Sequence, residues 1–272
     1  MSDDNGVTSA RAALTGRGYA VGMWVLTLGG AEVIWVLARS GVDFVYLDME
    51  HSAFGMDTVA AQLAAAQAAG VTAIVRPPSK DYPIGRLLDL GAMGILVPGV
   101  EHERDIEWIV AESKYTPVGN RSVATFGPHT RYRQLDDEYL AWANRETMVI
   151  AQFESARAFE RIDEILAVPG LDVAVVGRND LSHDLGVPGR LDGPEVTHYV
   201  ELLVDRCAAH GVVPGLLVGN ASAALGWLAK GVRWLPVGSE VSALAGAASA
   251  SVAAVHERAG AAFSVSSEGA TR

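Results

Sequence analysis

Cysteine is nearly absent from this sequence, since Cys207 is the single one among 272 residues. One thiol forms no internal disulfide and cannot build a multi-thiolate zinc or iron–sulfur site. No apolar run reaches the ~18 residues that a membrane-spanning helix needs. Residues 1–14 are acidic and polar, whereas a signal peptide is basic and then apolar. We therefore expect a cytoplasmic protein in which any metal ion is bound by oxygen or nitrogen.

Positive charge is also scarce. Lys and Arg number 21 against 32 Asp and Glu, which gives a net charge of −11 with neutral histidines, and no Lys/Arg cluster is present. Nucleic-acid affinity depends mainly on clustered cations that neutralise phosphates, so nucleic acid is not an expected partner. A small anionic substrate stays compatible with this charge, because a local arginine or a metal ion can reverse the field inside a cleft.

What the chain does contain is apolar sequence in short, regularly spaced runs. Half of the residues are hydrophobic, 19% are charged, and the mean hydropathy is +0.21, which excludes wholesale disorder. Eight short runs rich in strand-forming residues begin about 30 residues apart, the size of one βαβ unit. They cover residues 21–28, 44–48, 73–76, 94–97, 149–153, 173–177, 213–218 and 234–237.

This period predicts an α/β fold of the (β/α)8 TIM-barrel type, formed as one domain by residues 1–263 and followed by a disordered tail over 264–272. An open, doubly wound sheet is the alternative. Its G-x-G-x-x-G signature is missing after the first run. Single barrels of this length are common, so the length agrees with one domain.

Two segments depart from the period. The stretch between residues 97 and 149 is too long for one crossover, and 119–133 is rich in Gly, Pro, His and Arg, which predicts a loop over one end of the barrel. Residues 239–256 read as a helix with small residues on most faces. This helix is either a subunit contact or simply the last barrel helix.

Ionisable residues follow several predicted strands, at the barrel end where active sites form. Asp48 ends the second run and Glu50 and His51 follow it, while Arg76 ends the third run before two prolines. Such residues can also be ordinary turn residues, with Asp48 as a helix cap and Arg76 in a surface ion pair. Their shared position nevertheless favours a functional site.

Glu154 and Asp180 form the second group. They lie 26 residues apart, close to one βα unit, so their carboxylates are predicted at similar heights on neighbouring strands. Two such carboxylates repel each other unless a proton or a cation lies between them, and Mg²⁺ prefers a sparse site of this kind. The alternative is that Asp180 caps the sixth helix and Glu154 pairs with Arg157.

Six short segments together carry a resemblance to a known family. They read LDMEHS at 47–52, VRP at 75–77, LDLGA at 88–92, GNR at 119–121, FES at 153–155 and GRNDLS at 177–182. In this order the sequence, from Val21 to Ala245, resembles the HpcH/HpaI aldolases, which are metal-dependent class II 2-oxo-acid aldolases. The resemblance implies a barrel that exchanges its last helix with a neighbouring subunit and assembles as a homohexamer, a trimer of dimers.

The resemblance also implies an activity, the reversible cleavage of a 4-hydroxy-2-oxo acid into pyruvate and an aldehyde. One alternative is decarboxylation of oxaloacetate followed by capture of the enolate, as in macrophomate-synthase-like relatives. Another is a non-catalytic barrel that binds a metal–oxo-acid complex. An acyl-CoA lyase is disfavoured, because the sequence has no basic stretch suited to the CoA phosphates.

Residue roles follow from the resemblance. Glu154 and Asp180 are implied to ligate Mg²⁺, Mn²⁺ or Co²⁺, and pyruvate is implied to chelate the ion. Arg76 is implied to lie against the keto oxygen. His51, oriented by Asp89, is implied to move the proton of the aldol hydroxyl group.

The remaining implied site residues form two groups, a substrate-binding group of Trp24, Gly177, Asn179, Asp180 and Arg121, and a group behind the metal of Asp48 and Glu50. Within the first group, backbone amides at the start of the sixth helix are implied to bind the substrate carboxylate. Core burial is the alternative for Trp24. Two departures from the family pattern, Arg178 in place of a proline and no acid before Arg121, leave the aldehyde pocket undetermined.

Overall fold

The computed structural model describes residues 9–268, and side chains up to residue 259. Eight parallel strands close into a barrel in which each strand pairs with the next and the last pairs with the first. They are β1 (Ala20–Val25), β2 (Phe44–Asp48), β3 (Thr72–Arg76), β4 (Gly94–Val97), β5 (Met148–Phe153), β6 (Val173–Val176), β7 (Val213–Leu216) and β8 (Trp234–Ser239). The predicted (β/α)8 barrel is confirmed, and the open sheet is excluded.

Helices precede the first strand and connect each strand to the next. They are α1 (Ala10–Arg17), α2 (Glu32–Arg39), α3 (Met56–Ala69), α4 (Gly85–Asp89), α5 (Glu103–Ser113), α6 (Asp137–Glu146), α7 (Ala156–Glu160), α8 (Ile162–Leu166), α9 (Arg178–Asp184), α10 (Pro194–His210), α11 (Ala221–Ala229) and α12 (Glu240–Glu268). Local sequence sets their ends. Pro194 fits the first turn of α10 because that position needs no N–H donor, and Gly211 ends the helix at φ 70°.

Strand side chains alternate between the inside of the barrel and the surrounding helices. In β2, Phe44 and Tyr46 point inward, where the Phe44 ring stacks on Trp234 with centroids 3.8 Å apart. The Trp234 indole N–H donates to the Tyr46 hydroxyl oxygen over 2.6 Å. Gly22 lies beside Phe44 in the sheet, and a Cβ at position 22 would come within 2.4 Å of the Phe44 ring. The barrel interior is therefore a packed aromatic core.

The long segment between β4 and β5 lies at the amino-terminal end of the barrel. Lys114, directly after α5, donates from its ammonium group to the Asn144 carbonyl oxygen at 2.8 Å and to that of Thr147, just before β5. Arg121 donates its backbone N–H to the Lys114 carbonyl oxygen. The predicted loop over one barrel end is thus present, and it covers the end opposite to the one where βα loops form active sites.

The last helix, α12, leaves the barrel surface. It contacts β1 and β8 near its start, but its apolar residues Val241, Leu244, Val252 and Val255 are exposed. The helix continues to Glu268, so residues 264–268 are helical rather than part of the predicted tail, while residues 269–272 lie outside the described residues. Within the described part of the chain, no helix is both long enough and apolar enough to cross a membrane.

The reactivity of Cys207 tests how α10 packs against the barrel. The residue is fully buried on α10, and burial raises the pKa of its thiol to about 12. Compared with the ordinary pKa of 9.0, this lowers the thiolate fraction near pH 8 by about 1,000-fold. We expect native protein to react with Ellman's reagent far more slowly than protein unfolded in guanidinium chloride. Rapid stoichiometric labelling of the native protein would contradict this packing.

Candidate active site

A cavity of about 650 Å³ opens where the carboxyl ends of the strands meet. Residues from β1, β2, β3, β5, β6 and β8 line it, together with the loops that follow β1, β2 and β7 and the segment from the end of β6 through α9 to residue 191. The start of α12 adds Ser242. Those predicted from the sequence to form the site are Trp24, Asp48, His51, Arg76, Gly177, Asn179 and Asp180. Most of the predicted residues therefore lie around one space, at the barrel end where the prediction placed them.

Arg76 is the most firmly held of these side chains. It is buried, and Asp48 is its partner in the adjacent strand. The guanidinium group donates from Nε to Asp48 Oδ1 at 2.9 Å and from a terminal nitrogen to Asp48 Oδ2 at 2.6 Å. Its other terminal nitrogen lies 3.0 Å from Glu50 Oε2. Asp48 and Glu50, predicted as groups behind the metal, thus directly contact Arg76 and orient it.

Trp24 also contacts the Arg76 guanidinium group. The Arg76 guanidinium carbon lies 4.4 Å from the centroid of the Trp24 ring, a cation–π contact. Trp24 packs in turn on Tyr46 with ring centroids 4.6 Å apart. Trp24 is buried in the barrel core and also lines the cavity. Its role in substrate binding stays a prediction.

His51 lies at the rim of the cavity on a turn that Asp48 organises. Asp48 Oδ1 accepts the backbone N–H of Glu50 at 3.0 Å and that of His51 at 3.4 Å. The His51 side chain is 62% exposed, and its Nε2 lies 3.9 Å from Glu50 Oε2. The histidine is therefore open to solvent and to a ligand that enters the cavity.

Glu154 is fixed at the carboxyl end of β5. One carboxylate oxygen accepts the Gly99 backbone N–H at 2.5 Å, and the other accepts the side-chain amide of Gln152. A Cβ at position 177 would lie 2.8 Å from that second oxygen, so a glycine is needed there. These contacts hold the carboxylate against the junction of β6 and α9.

Asp180 lines the cavity, and the carboxylates of Glu154 and Glu50 lie beside residues that line it, Gly177 and Arg76. Burial raises the pKa of Glu154, and the negative charges of Asp180 and Glu50 raise it further. Burial also raises the pKa of Glu50, and Asp48 and Asp180 add to that rise. The charges of Glu154 and Asp180 thus interact. The alternative ion pair of Glu154 with Arg157 is not found among the described residues, since Arg157 pairs with Glu101 at 3.5 Å.

The donor set at this point suits a divalent cation. Carboxylate oxygens are the ligands that Mg²⁺ and Mn²⁺ prefer, and a cation would offset the repulsion that raises the pKa of Glu154. Among the described residues, no group of three or more His, Cys, Asp or Glu is arranged to hold a metal ion. A site with two protein carboxylates leaves the other coordination positions to water and substrate, as is usual for Mg²⁺.

Asp89 and Arg121 are not part of this cavity in the single chain. Asp89 ends α4, which runs back along the barrel, and therefore lies just before β4 at the amino-terminal end. There its carboxylate accepts from Arg121 at 2.7 Å, and the Arg121 guanidinium covers the Tyr115 ring. The expected contact between Asp89 and His51 within one subunit is thus corrected, because the helix between the strands carries Asp89 to the opposite end.

Sequence reasoning missed Gln152 as a functional residue. Its side chain lines the cavity and donates to Glu154. Gln152 precedes Glu154 by two residues, and side chains two residues apart on a strand point to the same face. This spacing could have indicated Gln152 from the sequence.

The fold and the cavity define a (β/α)8-barrel enzyme whose ionisable residues gather at the carboxyl ends of the strands. The chain belongs to the HpcH/HpaI aldolase/citrate lyase family, whose sequence model matches residues 21–247. This confirms the predicted family, and the protein is a carbon–carbon lyase of the class II aldolase type. Because this family of aldolases depends on metal ions, its membership supports a divalent metal ion as the cofactor.

Comparison with individual proteins agrees with this assignment. The chain is 33% identical over 244 residues to 4-hydroxy-2-oxo-heptane-1,7-dioate aldolase from Escherichia coli, covering 89% of this chain and 92% of the relative. It is 31% identical over 242 residues to 5-keto-4-deoxy-D-glucarate aldolase from Shigella dysenteriae, covering 89% and 94%.

Two solved structures share the whole architecture. An HpcH/HpaI aldolase from Desulfitobacterium hafniense superposes with a TM-score of 0.86 at 30% identity, covering 92% of this chain and 98% of the other. Citrate synthase SbnG superposes with a TM-score of 0.82 at 33% identity, covering 93% and 99%.

Proposed function

We propose that the protein reversibly cleaves a 4-hydroxy-2-oxo acid into pyruvate and an aldehyde. The observation that supports this most is the convergence of Arg76, His51 and Asp180 on one cavity, with the Glu154 carboxylate beside it against Gly177 and Gln152. The E. coli relative, by its name, acts on a 4-hydroxy-2-oxo acid. We infer that the substrate of this chain has the same 4-hydroxy-2-oxo group.

In this proposal Glu154 and Asp180 hold Mg²⁺, Mn²⁺ or Co²⁺. When bound there, such an ion withdraws electron density from the keto group of a chelated 2-oxo acid and makes its C3 protons more acidic. Gly177 leaves room for the Glu154 carboxylate. The amides of Asn179 and Asp180, in the first turn of α9, have no acceptor within the helix and are placed to bind the substrate carboxylate.

Arg76 stabilises the negative charge that develops on the keto oxygen. A guanidinium group has five N–H donors, and the contacts with Asp48 and Glu50 occupy three of them. The others are left for the substrate oxygen. Because two carboxylates and the Trp24 ring already fix the group, it needs little reorganisation during the reaction.

His51 accepts the proton of the C4 hydroxyl group as the C3–C4 bond breaks. The bonding electrons pass to C3, which gives the enolate of pyruvate, and C4 leaves as the aldehyde. In the condensation direction His51 returns the proton to the new alkoxide. Its exposed position at the rim leaves the imidazole accessible to the hydroxyl group of a bound substrate.

Two variants separate these roles. We expect His51→Ala to lose aldol cleavage by about 100-fold or more while retaining exchange of the pyruvate C3 protons with D₂O. We expect Arg76→Ala to lose both activities, since it stabilises charge in both reactions. NMR of pyruvate in D₂O and a coupled assay of pyruvate release measure the two. Unchanged rates in both variants would instead support a barrel that binds oxo acids without catalysis.

The proposed roles of Asp89 and Arg121 require an oligomer. They lie at the end of the barrel opposite to His51, so they can act at a cavity only when a neighbouring copy supplies them. We propose a homohexamer, a trimer of dimers, in which Asp89 of one copy orients His51 of another and Arg121 supports the same contact. Exchange of α12 between copies would cover the exposed Val252 and Val255.

A second candidate is enolate capture after oxaloacetate decarboxylation. It is favoured by the 33% identity to a protein described as a citrate synthase, whose name denotes carbon–carbon bond formation. The same residues of this chain would bind oxaloacetate and stabilise its enolate. Incubation with oxaloacetate, and separately with pyruvate and glycolaldehyde, distinguishes the candidates when released CO₂ and new carbon–carbon products are followed independently. A cytoplasmic location stays a prediction from the sequence.

A further inference from the structure

Glu240 is a buried carboxylate that the proposed reaction does not use. It begins α12 and is 4% exposed, whereas the side chains of residues 241–258 on the same helix are exposed. Its Oε2 is buried and has no hydrogen-bond partner among the described residues. Burial of such an oxygen costs free energy, so the contacts of the other carboxylate oxygen must offset that cost.

That other oxygen, Oε1, holds the β1–α2 loop, which comprises residues 26–31. It accepts the backbone N–H groups of three consecutive residues, Leu26 at 2.9 Å, Thr27 at 2.6 Å and Leu28 at 3.0 Å. Hydrogen bonds to an ionised carboxylate are stronger than those between neutral groups. Leu26 and Thr27 line the cavity. One carboxylate at the start of α12 therefore fixes the backbone of the cavity wall at the end of β1.

The β1–α2 loop packs in turn on the segment that follows His51. Gln62, on α3, donates its side-chain amide to the Leu28 carbonyl oxygen at 3.1 Å. A Cβ at position 29 would lie 3.3 Å from the methyl carbon of Thr58 and 3.7 Å from the Phe54 ring. The loop is thus in close contact with both the start of α12 and the residues that lead from His51 into α3.

Ser52 connects Phe54 to the turn that carries His51. The Ser52 hydroxyl oxygen accepts the Phe54 backbone N–H at 3.0 Å, and its hydroxyl group donates to the Asp48 carbonyl oxygen. A continuous set of contacts therefore joins Glu240 to the backbone of His51. The proposed metal ligands follow β5 and lie on α9, outside this set.

We propose that Glu240 is a positioning residue for His51 and that it acts through the β1–α2 loop. The His51 side chain is 62% exposed, so its place at the cavity depends on the turn that carries it. The helix that we propose to be exchanged between copies thus begins at a residue that supports proton transfer. This inference rests on the proposed aldolase function, and it links the placement of α12 to the aldol step.

The test removes the acceptor of the three N–H groups with Glu240→Ala, in the full-length enzyme at saturating Mg²⁺. We expect kcat for cleavage of 4-hydroxy-2-oxopentanoate to fall about 10- to 100-fold, because a displacement of about 1 Å can lower a rate by about 100-fold. KM should change little, since His51 acts on the transition state. Exchange of the pyruvate C3 protons with D₂O does not require His51, and its rate should stay within about threefold of the wild-type rate.

Two further variants make the test independent of one substitution. Glu240→Gln keeps an oxygen that can accept the three N–H groups, so it should recover part of the lost cleavage. Gln62→Leu loosens the same loop from α3 instead of α12. It should also lower kcat for cleavage while C3 exchange is retained, and it provides the test if Glu240→Ala does not fold.

Glu257→Gln is the matched control. Glu257 is exposed on the same helix, so its replacement removes one negative charge from α12 without touching the β1–α2 loop. Both rates should stay at the wild-type values. Hydrogen exchange measures the loop directly: the backbone amides of residues 26–28 should be protected in the wild-type enzyme and should exchange faster in Glu240→Ala.

The outcomes separate this inference from the proposed function. Unchanged cleavage in Glu240→Ala overturns the inference. Equal loss of cleavage and C3 exchange also overturns it, since Glu240 would then support the fold and not His51 in particular. Equal exchange of the amides of residues 26–28 in the wild-type enzyme and in Glu240→Ala contradicts the proposed route. Failure of the wild-type enzyme to catalyse either reaction overturns the proposed function itself, and this inference with it.

Discussion

Replacement of Glu154 by glutamine is expected to lower kcat/KM for aldol cleavage by about 1,000-fold or more. The variant loses a charge that we propose binds the cation, and a catalytic cation contributes several kcal/mol. Glutamine has the same shape, and its amide oxygen can still accept the Gly99 N–H. The fold should therefore persist. Titration of metal-free protein with Mn²⁺, followed by EPR, should show weakened binding.

Glu101→Gln is the matched control for this change. Glu101 follows Gly99 in the same loop and pairs with Arg157 at 3.5 Å, so its loss removes one negative charge nearby without touching the cavity. Mn²⁺ affinity and turnover should stay close to the wild-type values. Chelator-treated wild-type protein should be inactive and should recover on addition of Mg²⁺, Mn²⁺ or Co²⁺. Undiminished turnover by the metal-free protein would refute the role given to Glu154 and Asp180.

Mixing two inactive variants is expected to restore activity. His51→Ala lacks the proton-transfer group, and Asp89→Asn is expected to lose about 100-fold in aldol cleavage because His51 is no longer oriented. The residues lie at opposite ends of one barrel. When the two variants are co-assembled in equal amounts, about a quarter of the sites combine an intact His51 with an intact Asp89 from a neighbour. Steady-state cleavage should recover to a corresponding fraction.

The control for this experiment mixes His51→Ala with Arg76→Ala. Both residues line the cavity of the same chain. Every site in the mixture therefore lacks either His51 or Arg76, and activity should not recover. Native mass spectrometry confirms that the variants share oligomers. If the His51→Ala and Asp89→Asn mixture co-assembles but stays inactive, Asp89 does not act across subunits.

The spacing of apolar runs was enough to predict the barrel. Each buried strand must be apolar on both faces, and each crossover needs a helix long enough to return along the barrel, so the repeat of about 30 residues is a direct consequence of βαβ geometry. The same logic placed Asp48, Arg76, Glu154 and Asp180 at one end, since Asp48 and Arg76 end their strands and the other two come shortly after theirs.

Contacts among those residues could not be predicted in the same way. Asp48 and Glu50 were predicted behind a metal ion, which stays a prediction. Their contacts with Arg76 were not predicted, since they depend on the register of β2 against β3 that puts Asp48 beside Arg76. Asp89 was expected beside His51 because both occur in family-like segments. A short helix that returns along the barrel separates them by the full length of a strand.

The sequence by itself therefore determined the family, the eightfold alternation of strands and helices, and the end of the barrel at which the chemistry is placed. These features depend on periodicity and on the direction of the chain, both of which a linear sequence contains. Only the tertiary structure decided which carboxylate contacts which arginine and which loops line the cavity. Those outcomes depend on strand register and on loops that meet from distant parts of the chain, as when Arg178 contacts Asp192 and Leu217.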